Sequence, residues 1–221
     1  MTIKEGIYDI RESLNVYNID SEVSNRHIFF LMNTYRRQIV RQHIQKNPGE
    51  YRDQLTQTLY YTLEDVDNSR FPDKLAAGIT VRRTSMEIPN IIGQQIFKDI
   101  VVRPLERLEQ EIEVIHKERA AEISYAPTGF IYAYMDDDRR LYLVSKNSLH
   151  KFMSQLTVTA VLENPTDIEA INTLTTELEN YPLPANLWAS VRALVLENIA
   201  RKFNITIDTL NDKTDEQAPS T

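Results

Sequence analysis

The sequence predicts an α+β fold, a bundle of N-terminal, middle and C-terminal helices with a small antiparallel β-sheet. Four stretches of the 221-residue chain, at about 2–15, 24–46, 104–122 and 184–203, repeat apolar residues at helical spacing. A stretch at about 130–163 instead alternates around an acidic turn and reads as the sheet. With 42% hydrophobic and 26% charged residues, the chain has material for a core and is neither collagen-like nor mainly disordered. The expected organisation is a single domain over 1–210 and a polar tail over 211–221, whose NDKTDEQAPST has nothing to bury.

The first helix rests on Ile3, Ile7, Ile10 and Leu14, which share one face, and on Thr2 and Glu5 at capping-box spacing. Ser24 is the expected cap of the second helix, and Asn47-Pro48-Gly49 its stop. Within that helix Ile28, Met32, Tyr35 and Ile39 fall in a narrow arc; Arg26, Arg37 and Arg41 lie nearly opposite, with Arg36 between the two faces. Residues 54–66 place Leu55, Leu59, Leu63 and Val66 at helical spacing, so helix is favoured, although the Thr and Tyr content also suits a strand. Ile79-Thr80-Val81 resembles a short strand, and β-branched residues over 91–103 suit an irregular one.

From Pro104 to Glu122 the pattern returns to helix, with proline in the first turn and Leu105, Leu108, Ile112 and Ile115 on one face. Ile131 to Val144 is the clearest hairpin. Ile131, Ala133 and Met135 face one way, Tyr132 and Tyr134 the other, and Leu141 to Val144 return after Asp136-Asp137-Asp138. Residues 155–163 supply a third strand, ending at Asn164-Pro165. The last helix buries Leu187, Val191, Leu194, Val195 and Ile199, and Trp188 reads as core.

Chemistry is sparse. No cysteine is present, which excludes thiolate metal sites and cysteine nucleophiles. The five glycines form no phosphate-cradling loop, and His27, His43, His116 and His150 show no metal-ligand spacing. No catalytic residue, cofactor or metal ligand is therefore assigned, and the chain is expected not to be an enzyme. Asp136-Asp137-Asp138 lacks the spaced ligands of a calcium loop and reads first as a solvated acidic turn. The N-terminus lacks a signal-peptide core, and no apolar run is long enough to span a membrane, so no membrane partner is expected. The net charge of −7 argues against a protein that coats nucleic acid.

Two surfaces stand out as candidate protein interfaces. From Asn25 to Lys46 no residue is acidic, and Arg26, Arg36, Arg37 and Arg41 supply forks suited to phosphates or acidic partners. A solvated face is the alternative, and a nucleic-acid-binding or regulatory role for helix 24–46 is the competing function. Tyr132, Tyr134 and Tyr142 are the second candidate, because tyrosine is common at protein–protein contacts.

The succession MTIKEGIYDIRESLNVYNID, SNRHIFFLMNTYRRQIVRQHI, LTQTLYYTLEDVD, RRTSMEIPNII, YAYMDDDRRLYLVSKN and LTVTAVLENPTD resembles virion structural proteins of crAss-like tailed bacteriophages. The resemblance covers about three-quarters of the chain. It implies a head-to-tail connector or adaptor in the neck of the particle, assembled in the host cytoplasm as a homo-oligomeric, dodecameric ring. The implied partners are further copies of the chain, the portal protein, neighbouring tail or neck rings, and DNA passing through the channel without sequence-specific binding. Relatives carry cysteines between the LEDVD-like and IPNII-like segments; this chain has none, so a metal role there does not transfer.

Overall fold

Seven strands close most of a barrel, and three long helices pack together at its side. The computed structural model describes residues 1–15, 23–47, 52–66, 79–93, 99–107, 110–120, 129–146, 150, 152–171 and 181–203. In chain order these are helix α1 (Ile3–Asn15), α2 (Asn25–Lys46) and the single turn α3 (Arg52–Leu55), then strands β1 (Gln57–Asp65), β2 (Thr80–Thr84), β3 (Val101–Pro104), β4 (Glu113–Val114), β5 (Ile131–Met135), β6 (Leu141–Ser145) and β7 (Gln155–Ala160). A 3-10 turn at Pro165–Asp167 leads into α4 (Ile168–Ile171), and α5 (Ala185–Lys202) ends the described chain. The expected tail at 211–221 lies outside the described residues.

This overturns the expected helical bundle with a small antiparallel sheet. The sheet is large and mixed, in the order β3-β7-β1-β2-β6-β5-β4, with β4 parallel to β5 and every other pair antiparallel. A bridge between Val102 in β3 and Ile112 beside β4 joins its two ends. β1 makes the curvature possible: Gln57 to Thr62 pair with β7, and Leu63 to Asp65 pair with β2.

Two stretches expected as helix are not: 54–66 is mostly β1, and the described part of 104–122 holds the end of β3, the two-residue β4 and a 3-10 turn at 117–120. In β1 the buried residues are Leu59, Tyr61 and Leu63, a period of two that a four-residue Leu spacing conceals. Over 104–122, Pro104 ends β3, and Ile112 and Ile115 sit three apart in extended chain and so face opposite ways. Ile112 enters the barrel core, whereas Ile115 packs on the outer face. The expected strands at 79–81, 131–144 and 155–163 fall on β2, the β5–β6 hairpin and β7.

The barrel interior is filled by Leu59, Leu63, Val102, Ala133, Leu141, Leu143, Leu156 and Val158, among others. Outside β2, β5 and β6 lies a second layer, with Val81, Tyr134, Tyr142 and Val144 under Ile115 and Ile79. β6 is therefore buried on both faces.

The third core belongs to the helices. Ile10 and Leu14 of α1, Ile28, Leu31, Met32 and Val40 of α2, and Val191, Val195 and Ile199 of α5 meet Leu55, Ile92 and Val161 from the barrel side. The capping box holds, with Thr2 N–H donating to Glu5 at 2.7 Å and Glu5 N–H donating to the Thr2 hydroxyl at 3.1 Å. The Ser24 hydroxyl accepts from His27 N–H at 3.2 Å and caps α2. Asp9 ties α1 to α5, taking the Trp188 indole N–H at 3.0 Å and pairing with Arg192 at 3.1 Å. Gly6 lets the helices approach: a Cβ there would stand 2.8 Å from Met32 Cε and 3.1 Å from the Trp188 ring.

Candidate functional site

The outward face of α2 follows from its buried one. Ile28, Met32, Arg36 and Val40 recur every four residues and, with Leu31, are buried. Directly opposite, at about 100° per residue, Arg26, Phe30, Arg37 and Arg41 fall within an arc of about 60°. All four are exposed, Phe30 to 64%. Arg37 and Arg41 reach the two oxygens of one carboxylate, Glu163, at 3.7 and 3.2 Å. Arg26 makes no ion pair among the described residues. Two of the three guanidinium groups share one acid and the third pairs with none among the described residues, so the face carries surplus positive charge on a chain whose net charge is −7.

Arg36, read from sequence as lying between the faces, is instead fully buried. Its Nε–H donates to the Pro182 carbonyl at 3.1 Å and its Nη1–H to the Leu162 carbonyl at 2.8 Å, with the guanidinium 5.8 Å from the centre of the Tyr181 ring. Burial lowers its pKa to about 10, so it stays charged at neutral pH. The same burial pushes the Tyr181 hydroxyl well above its ordinary value. Asn33 continues this seam, donating to the Asn164 side chain at 3.2 Å and accepting from the Tyr181 hydroxyl at 2.9 Å. Arg36 is thus a bolt between α2, the end of β7 and the approach to α5.

Tyr134 and Tyr142 stack at 5.5 Å on the outer face of the hairpin, and both are buried beneath the second layer. Tyr132 is half-buried against the same layer. The Tyr142 hydroxyl donates to Asp138 at 2.8 Å, and Arg83 lies between Glu64 (3.4 Å) and Asp138 (3.9 Å). Hydrogen bonding to Tyr142, reinforced by Glu64, raises the Arg83 pKa.

The acidic turn is internally satisfied. Lys117 pairs with Asp136 and, at 2.9 Å, with Asp137, and these bonds raise its pKa. The Asp136 carboxylate also takes the Asp137 N–H, and Asp138 takes the Arg140 N–H at 3.0 Å. Arg139 sits in the left-handed region at φ 59° and donates to the Ile88 carbonyl at 2.6 Å. Among the described residues no group of three or more His, Cys, Asp or Glu side chains is placed to hold a metal ion. No described helix is long and apolar enough to cross a membrane.

Sequence reasoning missed Phe30 and the burial of Arg36. Both were signalled by position: Phe30 falls between Arg26 and Arg41 on the helical wheel, and Arg36 lies four residues from Met32 and from Val40. It also passed over the rim of the barrel, where Phe130 and Phe152 are 57% and 76% exposed. A cleft of about 260 Å³ opens there, lined by Pro104, Arg107, Gly129, Ile131, Phe152 and Met153 among others.

The family model described as phage tail ring protein 2, from crAss phages, matches residues 5–217 of the chain. No curated protein matches it.

Proposed function

The chain belongs to the phage tail ring protein 2 family, and from that premise we propose that it is a non-enzymatic connector in the neck of a crAss-like phage. Identical copies, twelve as the family resemblance implies, form a ring that joins the portal to the tail and surrounds the DNA channel. Its mechanism is geometric. A barrel with most of its strand edges paired resists unwanted strand addition, and the Arg36 bolt fixes the helices against it. The result is a stiff block whose contact surfaces are set by side chains.

The observation that carries the reading is where the large apolar side chains remain in water. Tyr8 (68% exposed) and Phe30 lie on the helices, while Phe130 and Phe152 lie at the barrel rim. A ring subunit needs contacts with its neighbours and with the layers above or below it, and aromatic and arginine side chains are the types that concentrate at such contacts. The basic face of α2 is a subunit or portal contact in this reading, and Tyr132 belongs to the rim of a contact. Tyr134 and Tyr142 hold the hairpin in shape from beneath. An acidic chain also suits a channel that lets DNA slide, because phosphate binding requires uncompensated cations along the path.

Quantitative mass spectrometry of purified virions tests the proposal by counting this chain against the portal. One copy per portal subunit is the expected result. Absence from the particle overturns it, and salt-sensitive DNA binding that is lost with Arg26→Glu and Arg37→Glu would then assign α2 to nucleic acid.

A further inference from the structure

Two exposed helical faces carry patterns of opposite charge, and the acid on the α2 side, Glu163, pairs with only two of its three exposed arginines. On α1, Glu5, Tyr8 and Glu12 fall within an arc of about 60° over a length of about 10 Å. All three are exposed, and this face is turned away from Ile10 and Leu14, which enter the helical core. On α2, Arg26, Phe30 and Arg37 give the reciprocal order of cation, aromatic, cation, extended by Arg41. Both faces point away from the core that α1 and α2 share, so within one copy they do not meet.

We propose that the Glu5–Tyr8–Glu12 face of α1 in one copy docks on the Arg26–Phe30–Arg37 face of α2 in the next copy. The inference rests on the ring reading above and specifies its lateral contact. Like faces repel: two α2 faces would bring six or more cations together, and two α1 faces four carboxylates. Unlike faces attract, and they place Tyr8 beside Phe30 with charges at either side, an apolar centre inside a polar rim. A contact between two different faces of identical subunits is heterologous, the type that generates a closed ring when its rotation closes. An isologous contact would stop at a dimer.

The chain has no cysteine, which gives a clean background for cross-linking. A Tyr8→Cys/Phe30→Cys chain, assembled into particles and mildly oxidised, is expected to run on a non-reducing gel as a ladder of covalent oligomers beyond the dimer. Each single variant is expected to stay monomeric. A dimer from Phe30→Cys alone, or a cross-link to a different virion protein, overturns the proposal. So does a lack of cross-links in particles that hold the chain at ring copy number, an outcome that leaves the ring reading standing. Absence of the wild-type chain from particles overturns the ring reading itself.

Charge reversal covers the case in which the cysteine chain is not incorporated. Arg37→Glu and Glu12→Arg are each expected to lower incorporation at least tenfold, and the chain carrying both is expected to recover it. Thermal melting of each purified variant separates lost folding from lost contact. A doubly reversed chain that folds but is not incorporated overturns the proposal.

Discussion

Replacing Arg36 isolates the seam that holds the two parts of the molecule together. Arg36→Ala strips the buried carbonyls of Leu162 and Pro182 of the donors they have among the described residues. At about 1–3 kcal/mol each, with a central value near 2, the two carbonyls together lose about 4 kcal/mol. Lost packing against Tyr181 and its neighbours adds about 3 kcal/mol, by analogy with other large-to-alanine core changes. Against this, the cation no longer has to be buried; the lowering of its pKa to about 10 puts that term at about 3 kcal/mol. The balance is a loss of about 4 kcal/mol. Arg36→Met retains most of the volume and also sheds the cation, so its expected loss is about 1 kcal/mol. Urea unfolding followed by the fluorescence of Trp188, the single tryptophan, reports on the helical core directly. Arg36→Ala within about 0.5 kcal/mol of wild type, or Arg36→Met as damaging as Arg36→Ala, would refute the reasoning.

Other expectations can be checked with the same purified chain. His150 is fully buried, and burial, assisted by the neighbouring Arg82 cation, depresses its pKa to about 4 against the pull of Asp65. Because the folded value lies below the unfolded value near 6.5, the unfolded chain binds the extra proton first. Stability present above pH 6.5 therefore falls by about 3 kcal/mol as pH drops through 4, and His150→Leu is expected to flatten that part of a urea-midpoint profile. Gly6→Val places branched carbon against Met32 and Trp188 and is expected to lower stability by about 1–3 kcal/mol, read as an earlier urea midpoint. Asp9→Ala frees the Trp188 indole and Arg192 and is expected to cost about 1–2 kcal/mol, with a shift in Trp188 emission. Phe30→Ala, by contrast, is expected to leave monomer stability within about 0.5 kcal/mol while lowering incorporation into particles, as counted by mass spectrometry.

The elements most legible in the sequence were those whose periodicity admits one reading. α1, α2 and α5 each repeat apolar residues over three turns or more, and the β5–β6 hairpin alternates cleanly across an acidic turn. Its two faces were also assigned correctly: Ala133 enters the barrel, with Ile131 and Met135 packed against its core, while Tyr132 and Tyr134 turn to the outer layer. Leu59 and Leu63 were ambiguous because a spacing of four satisfies both a helix and a strand, and only Tyr61 between them decides. In 104–122 the abundance of glutamate, lysine and arginine favours helix locally, yet Val102 and Ala133 supply backbone partners for Ile112 and Ile115. Long-range pairing outweighs propensity there, and no local pattern announces it. The barrel itself was illegible for the same reason: β3 meets β7, and β1 meets both β7 and β2, across long stretches of chain. Of the candidate site, the exposed arginines were readable from charge alone. The internal role of Arg36 depended on which residues of distant segments present free carbonyls.

Electron cryomicroscopy of intact particles, with the neck and tail reconstructed by symmetry averaging, tests the central claim most directly. The account predicts this chain as a repeated barrel-and-helix block around the particle axis, with α1 of each copy against α2 of the next. A particle whose neck and tail rings are fully occupied by other proteins, with this chain absent, would contradict it.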